Sequence, residues 1–137
     1  MTLPRRLAAE AVGTAWLLAV VVGSGIMGER LAGGNAALAL LANSLASGAG
    51  LVVLILQFGP VSGAHFNPLV TLALARSGNF SRCEVVLYIC AQLVGALGGV
   101  GVAHLMFDLP LLLPVRTRAP AARSGSPKGW RHSAWCR

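Results

Sequence analysis

Acidic residues are scarce: Glu10, Glu29, Glu84 and Asp108 are the only four in 137 positions. Carboxylates spread this thinly, with serines and histidines equally scattered, offer no nucleophile–base set and no paired acid and base. A glycine-rich phosphate loop is also missing, so neither enzymatic activity nor a cofactor is expected. Cysteine is rare as well. Cys83, Cys90 and Cys136 fall at no metal-ligand spacing, and Cys90 sits in an apolar run where a thiol acts as a small hydrophobe, so no metal site or disulfide framework follows. What remains is 55% hydrophobic and 11% charged, with seventeen glycines. That is too apolar for an ordinary soluble domain of this length and points to a membrane protein.

Three segments have the roughly twenty residues that a helix needs to cross about 30 Å of hydrocarbon. They are Leu7 to Met27, Ala36 to Phe58 and Glu84 to Phe107. GERLAGGN, from Gly28 to Asn35, is a short polar connection between the first two. Arg5 and Arg6 precede the first helix, and Arg76 and Arg82 follow the second, so two spans place all four on one side. The positive-inside rule makes that side cytoplasmic, with the N-terminus there and the chain multi-pass in the plasma (inner) membrane. Arg5 and Arg6 ahead of an apolar stretch imitate a secretory signal, but Glu10 and the later spans argue against cleavage.

The formal charge of +7 misleads if it is spread over the chain. Up to residue 115, Arg5, Arg6, Arg30, Arg76 and Arg82 nearly balance the four acids. The tail then carries Arg116, Arg118, Arg123, Lys128, Arg131 and Arg137 without an acid. From about Pro114 the composition breaks into a proline-containing basic stretch with no helical periodicity, expected to be a disordered tail over 114–137. Its cations, with Trp130 and Trp135, would suit anionic lipid or nucleic acid, but nothing in it is patterned and no nucleic-acid partner is expected. Upstream, small residues recur at four-residue spacing: Gly95/Gly99, with Gly98 and Gly101 beside them, then Ser44/Gly48 and Ala46/Gly50. In lipid such residues let helix backbones approach closely, so a tight bundle is expected.

Between the second and third spans lies SGAHFNPLVTLALA, Ser62 to Ala75. Asn67 is a preferred N-cap and Pro68 suits the first helical position, so a helix is expected over 68–75, about 12 Å long, enough to reach only the middle of a bilayer. Gly59, Pro60, Ser62 and Gly63 read as a non-helical approach to it, which is tolerated at membrane depth only when buried in protein or facing water. Arg76 would sit at the outer end of such a half-helix and the positive N-terminal end near the membrane centre, a barrier to cations. Asn67 could donate from its amide while the carbonyls of Gly63, Ala64 and His65 accept, a dipolar path for neutral solutes. An interfacial surface turn with a plain helix start accounts for the same residues.

SGAHFNPLVT at Ser62 to Thr71 resembles the first pore motif of the aquaporin and aquaglyceroporin family, the major intrinsic proteins. AEAVGT at Ala9 to Thr14 resembles the signature of the family's first helix, and YICAQLVGALGG at Tyr88 to Gly99 that of its third. The resemblance covers roughly Arg6 to Leu113, and GSGIMGERLAGGN with FGPVSGAHFNP is most similar to bacterial members linked to arsenite handling. It implies an all-α membrane protein, with three transmembrane helices and one re-entrant half-helix forming the first repeat of an inverted-repeat bundle, usually a homo-tetramer. Carried over, Asn67 would be the first pore asparagine and Pro68 its partner, Gly63, Ala64 and His65 would lend carbonyls, and Glu10 would be the buried carboxylate bracing the pore loop. Ser47 would stand at the selectivity constriction, where a small hydroxyl suits glycerol-sized or arsenite-sized solutes; as a plain residue it reads equally as small packing. His65 is expected to brace the loop rather than bind metal, and His104 to pack between helices. Asn79-Phe80-Ser81 matches a glycosylation pattern by chance on a cytoplasmic turn.

Two departures stand against the motif. Leu69 occupies the position of the motif's alanine, and Asn35, Asn43 and Asn79 are not followed by proline, so no second Asn-Pro exists. The second half is missing, as if a frameshift had joined a genuine first half to an unrelated tail. The resemblance implies a passive channel for water and small neutral solutes such as glycerol or arsenite, in contact with membrane lipid and truncated. The alternative is a non-conducting membrane fragment or an interaction partner of an intact channel.

Overall fold

A computed structural model of the chain describes residues 1–77 and 80–111. Four helices follow in order, α1 (Leu3–Leu31), α2 (Ala36–Ser62), α3 (Pro68–Ala75) and α4 (Arg82–Met106), with no strand among the described residues. α1, α2 and α4 are each long and apolar enough to cross a membrane. Expectations for the stretch after Pro114, for Cys136 and for Asn79 fall outside the described residues.

The helices start where local chemistry supplies caps. Pro4 lies in the first turn of α1, where a missing N–H costs nothing. Asn35 opens α2 by accepting from the Ala37 and Leu38 amides at 3.1 and 3.2 Å. Ser81 and Glu84 form a reciprocal capping box on α4. α1 runs beyond both ends of its apolar stretch, because helical hydrogen bonding continues into the interface, where Arg5, Arg6, Glu29 and Arg30 sit.

One expectation is corrected: the chain is not irregular from Gly59. α2 continues through Pro60 to Ser62. Pro60 lies in the last turn, so its missing N–H removes a single helical bond, and the Gly63 amide still reaches the Gly59 carbonyl at 3.0 Å. The helix ends at Gly63, whose φ of 93° only glycine adopts readily. The irregular segment is therefore only Gly63 to Asn67.

α1 lies at the centre, with α2 on one side and α4 on the other, and α3 packs on α4. α1 and α2 are antiparallel, and α1 and α4 run parallel, with Gly95 against Ala11 and Gly99 against Ala15. A Cβ on either glycine would overlap the facing carbonyl, so these two glycines set the α1–α4 separation. Gly50 faces Val20 across α1–α2, whereas Gly48 and Gly98 face open space. The small-residue spacing is thus used on one face of α4 and at Gly50.

The interior inverts the usual order of soluble proteins. The largest fully buried side chains are Tyr88, Gln92, Glu10 and Thr71, while long rows of leucine and valine on α2 and α4 point outward. Apolar residues outward and hydrogen-bonded polar residues inward is the arrangement that lipid as solvent selects.

Candidate functional site

The polar interior gathers where α2 ends and α3 begins. Glu10, on the third turn of α1, is fully buried. Its Oε1 accepts from the Ser62 hydroxyl at 2.6 Å and the His65 amide at 3.0 Å. Its Oε2 accepts from the Phe66 amide at 2.8 Å and from Gln92 Nε2 at 2.8 Å. Four donors fill the acceptor sites of an ionised carboxylate, which is how a charge is kept out of water without an ion pair.

That carboxylate holds a strained loop. Ala64 and Phe66 have φ of 50° and 49°, left-handed values that non-glycine residues seldom adopt, and Gly63 precedes them with the same sign. Successive amides in such a turn point inward together and leave their carbonyls elsewhere. Among the described residues, no donor reaches the carbonyls of Gly63, Ala64 or His65. The Phe66 side chain is anchored by the same helix. Its ring lies against Gly13, where any Cβ would overlap it, and meets the Phe58 ring edge-on at 6.0 Å. Glu10 and Gly13 are three apart, on one face of α1, and both address Phe66.

Asn67 starts α3: its Oδ1 accepts from the Leu69 amide at 2.8 Å, and its amide nitrogen is left without a partner among the described residues. Pro68 fills the first turn. Leu69, 73% exposed, projects from the same end.

Thr71, one turn on, ties this end to α4. Its Oγ1 accepts from Gln92 Nε2 at 2.9 Å and donates to the Asn67 carbonyl at 3.2 Å. His65 Nδ1 lies 3.1 Å from the same hydroxyl, so the imidazole ring is tied to the first turn of α3 as well. Gln92 works through its NH₂ alone, since its buried Oε1 has no donor.

The structure thus brings together Glu10, Gly63, Ala64, His65, Asn67, Pro68 and Leu69. Ser47 lies elsewhere, half-buried on α2, where it donates to Asn43 Oδ1 at 3.2 Å beside Ser24. A cavity of about 490 Å³ lies near it at the far end of the α1–α2 hairpin, lined by Gly25, Glu29 and Asn43 among others, with no residue of the loop. His104, expected only to pack, hydrogen-bonds the Pro110 carbonyl at 3.0 Å. Thr71, Tyr88 and Gln92 were not singled out from the sequence, and Ser62 only as part of the approach to α3, although a lone glutamine in an apolar span was a readable sign that a buried partner awaits it.

A family model described as Major intrinsic protein matches residues 1–127, past the composition break near Pro114. Aquaglyceroporin AqpS of Rhizobium meliloti (strain 1021) is 54% identical over 118 residues, which are 84% of this chain and 50% of that protein. Aquaporin Z of Bradyrhizobium diazoefficiens is 36% identical over 93 residues, 68% of this chain and 38% of that protein. Probable aquaporin NIP7-1 of Arabidopsis thaliana is 39% identical over 110 residues, 77% of this chain and 39% of that protein. The chain spans about half or less of the length of these curated relatives. With a family match across nearly all of its residues, and a capped half-helix that follows a loop held on a buried glutamate within an all-helical membrane fold, the chain belongs to the major intrinsic protein family.

Proposed function

We propose that the chain forms one half of a passive transmembrane path for water and small uncharged solutes of glycerol or arsenite size. The observation that carries this reading is the loop at Gly63 to Asn67, whose amides converge on Glu10 and whose free carbonyls run up to an Asn67 amide that is itself uncommitted. A row of acceptors ending in a donor replaces the hydration of a neutral solute, and the positive end of α3 repels cations. The relatives' names, aquaglyceroporin and aquaporin, support the same solute class. In this reading Asn67 and Pro68 form the constriction with Leu69 beside it, Gly63, Ala64 and His65 line the approach, and Ser47 widens a selectivity site. The chain sits in the plasma (inner) membrane with its N-terminus cytoplasmic, and its open face is completed by further copies, as in a tetramer, or by a separate second half.

A second reading, a non-conducting fragment or a partner of an intact channel, is favoured by that open face. Leu69 is exposed and the loop carbonyls are unpartnered among the described residues, and such backbone in lipid costs several kcal/mol per group. Stopped-flow swelling of proteoliposomes separates the two. Water or glycerol flux above that of empty vesicles, abolished by Asn67→Ala, supports the channel. Folded, inserted protein with no flux leaves the partner reading.

A further inference from the structure

We propose that Arg6 and Tyr88 are positioning residues that set the re-entrant loop one helical turn away from the Glu10–Gln92 pair, along the same α1–α4 seam, an inference that rests on the channel reading above. Tyr88 is fully buried on α4, and its hydroxyl donates to the Ser62 carbonyl at 3.0 Å. Arg6 Nε donates to that same hydroxyl at 2.7 Å. A guanidinium has no acceptor, so the phenol proton is forced toward Ser62, and the order Arg6, Tyr88, Ser62 is the only direction the chain can take. Ser62 is thus gripped twice, by its carbonyl through Tyr88 and by its hydroxyl through Glu10 at 2.6 Å. It is the last residue of α2 before the strained turn, where an orphan helix carbonyl needs a donor.

Arg6 joins further pieces. Its NH1 meets Glu84 Oε1 at 3.2 Å, and its guanidinium stacks over the rings of Phe80 and Tyr88 at 5.1 and 5.2 Å. Phe80 lies in the connector after α3, and its ring meets those of His65 and Tyr88 at 5.3 and 5.5 Å. One side chain therefore links the start of α1, the start of α4 and the connector behind the half-helix, and reaches the end of α2 through Tyr88. Lysine cannot replace it, because it lacks both the planar stacking face and the Nε fork.

The test compares Tyr88→Phe, which keeps the ring and deletes the hydroxyl, and Arg6→Lys, which keeps the charge, with Arg30→Lys. Arg30 stacks on Phe107 at 5.2 Å and bonds its carbonyl at 3.0 Å at the other end of α1, so it controls for the same chemistry away from the loop. In proteoliposomes of the full chain, amide exchange at His65 and Phe66 is expected to rise about tenfold or more in Tyr88→Phe and Arg6→Lys, and to stay unchanged in Arg30→Lys. The glycerol-to-water permeability ratio is expected to shift in the first two only. Wild-type loop exchange in Tyr88→Phe overturns the inference whatever the flux. If Tyr88→Phe fails to insert, Arg6→Lys decides on the same readout. A wild-type chain that does not conduct defeats the channel reading alone, because exchange still reports on the loop.

Discussion

Glu10 accepts from four donors on residues 52 to 82 positions away in sequence, and each of its oxygens takes two. Glutamine is nearly isosteric but cannot substitute. Whichever oxygen becomes NH₂, two donors lose their acceptor and face another donor. We expect Glu10→Gln to lower stability by about 2–4 kcal/mol, read as reduced thermal stability in detergent, at one to two buried unsatisfied groups. Of this site, Asn67 was legible in the sequence itself as a cap before proline, whereas Glu10, a charge within an apolar span, took its bracing role from the resemblance to the family's first helix. Thr71 and Tyr88 were not legible, because a threonine or tyrosine in a membrane helix is unremarkable until its partner is known, and the partners lie on other helices.

Helices follow from caps and apolar runs, which is why α3 could be read from Asn67-Pro68 and the length that follows. The end of α2 could not. Pro60 and Gly59 are loop signals, yet only the position of Pro60 within the final turn makes it harmless, and that turn is fixed by Gly63 and by the bonds to Ser62. The glycine spacing on α4 was legible as a packing surface but not its facing. Gly95 and Gly99 meet the Ala11 and Ala15 carbonyls, while Gly98 meets nothing. Gly95→Ala and Gly99→Ala are therefore expected to cost about 1–3 kcal/mol each, because overlap with backbone cannot be relieved by a rotamer. Gly98→Ala should be neutral within about 0.5 kcal/mol. Urea or thermal titration of the three variants in one detergent checks this ordering.

At the level of the molecule, Arg5, Arg76 and Arg82 stand exposed at one end and Arg30 at the other. This asymmetry predicts sidedness. Cys83 lies exposed at the Arg82 end, and Cys90 lies two turns deeper along α4. With Cys136 changed to serine, a membrane-impermeant maleimide is expected to label Cys83 in inside-out vesicles and not in right-side-out vesicles, with Cys90 unlabelled in both; the reverse pattern would invert the topology. The central place of α1, touching both α2 and α4, was not legible, since periodicity tells which residues are apolar and not which neighbour they meet. It has a consequence for how the protein is made. α1 leaves the ribosome first, carrying Glu10, whereas Ser62, His65, Phe66 and Gln92 emerge later in that order. Until the third spanning helix has been synthesised, the carboxylate lacks its full set of donors and belongs at the water-filled edge of the insertion machinery rather than in lipid. We therefore expect α1 to reach its final depth only after Gln92 arrives, so that a ribosome stalled before that point holds α1 accessible to a water-soluble labelling reagent.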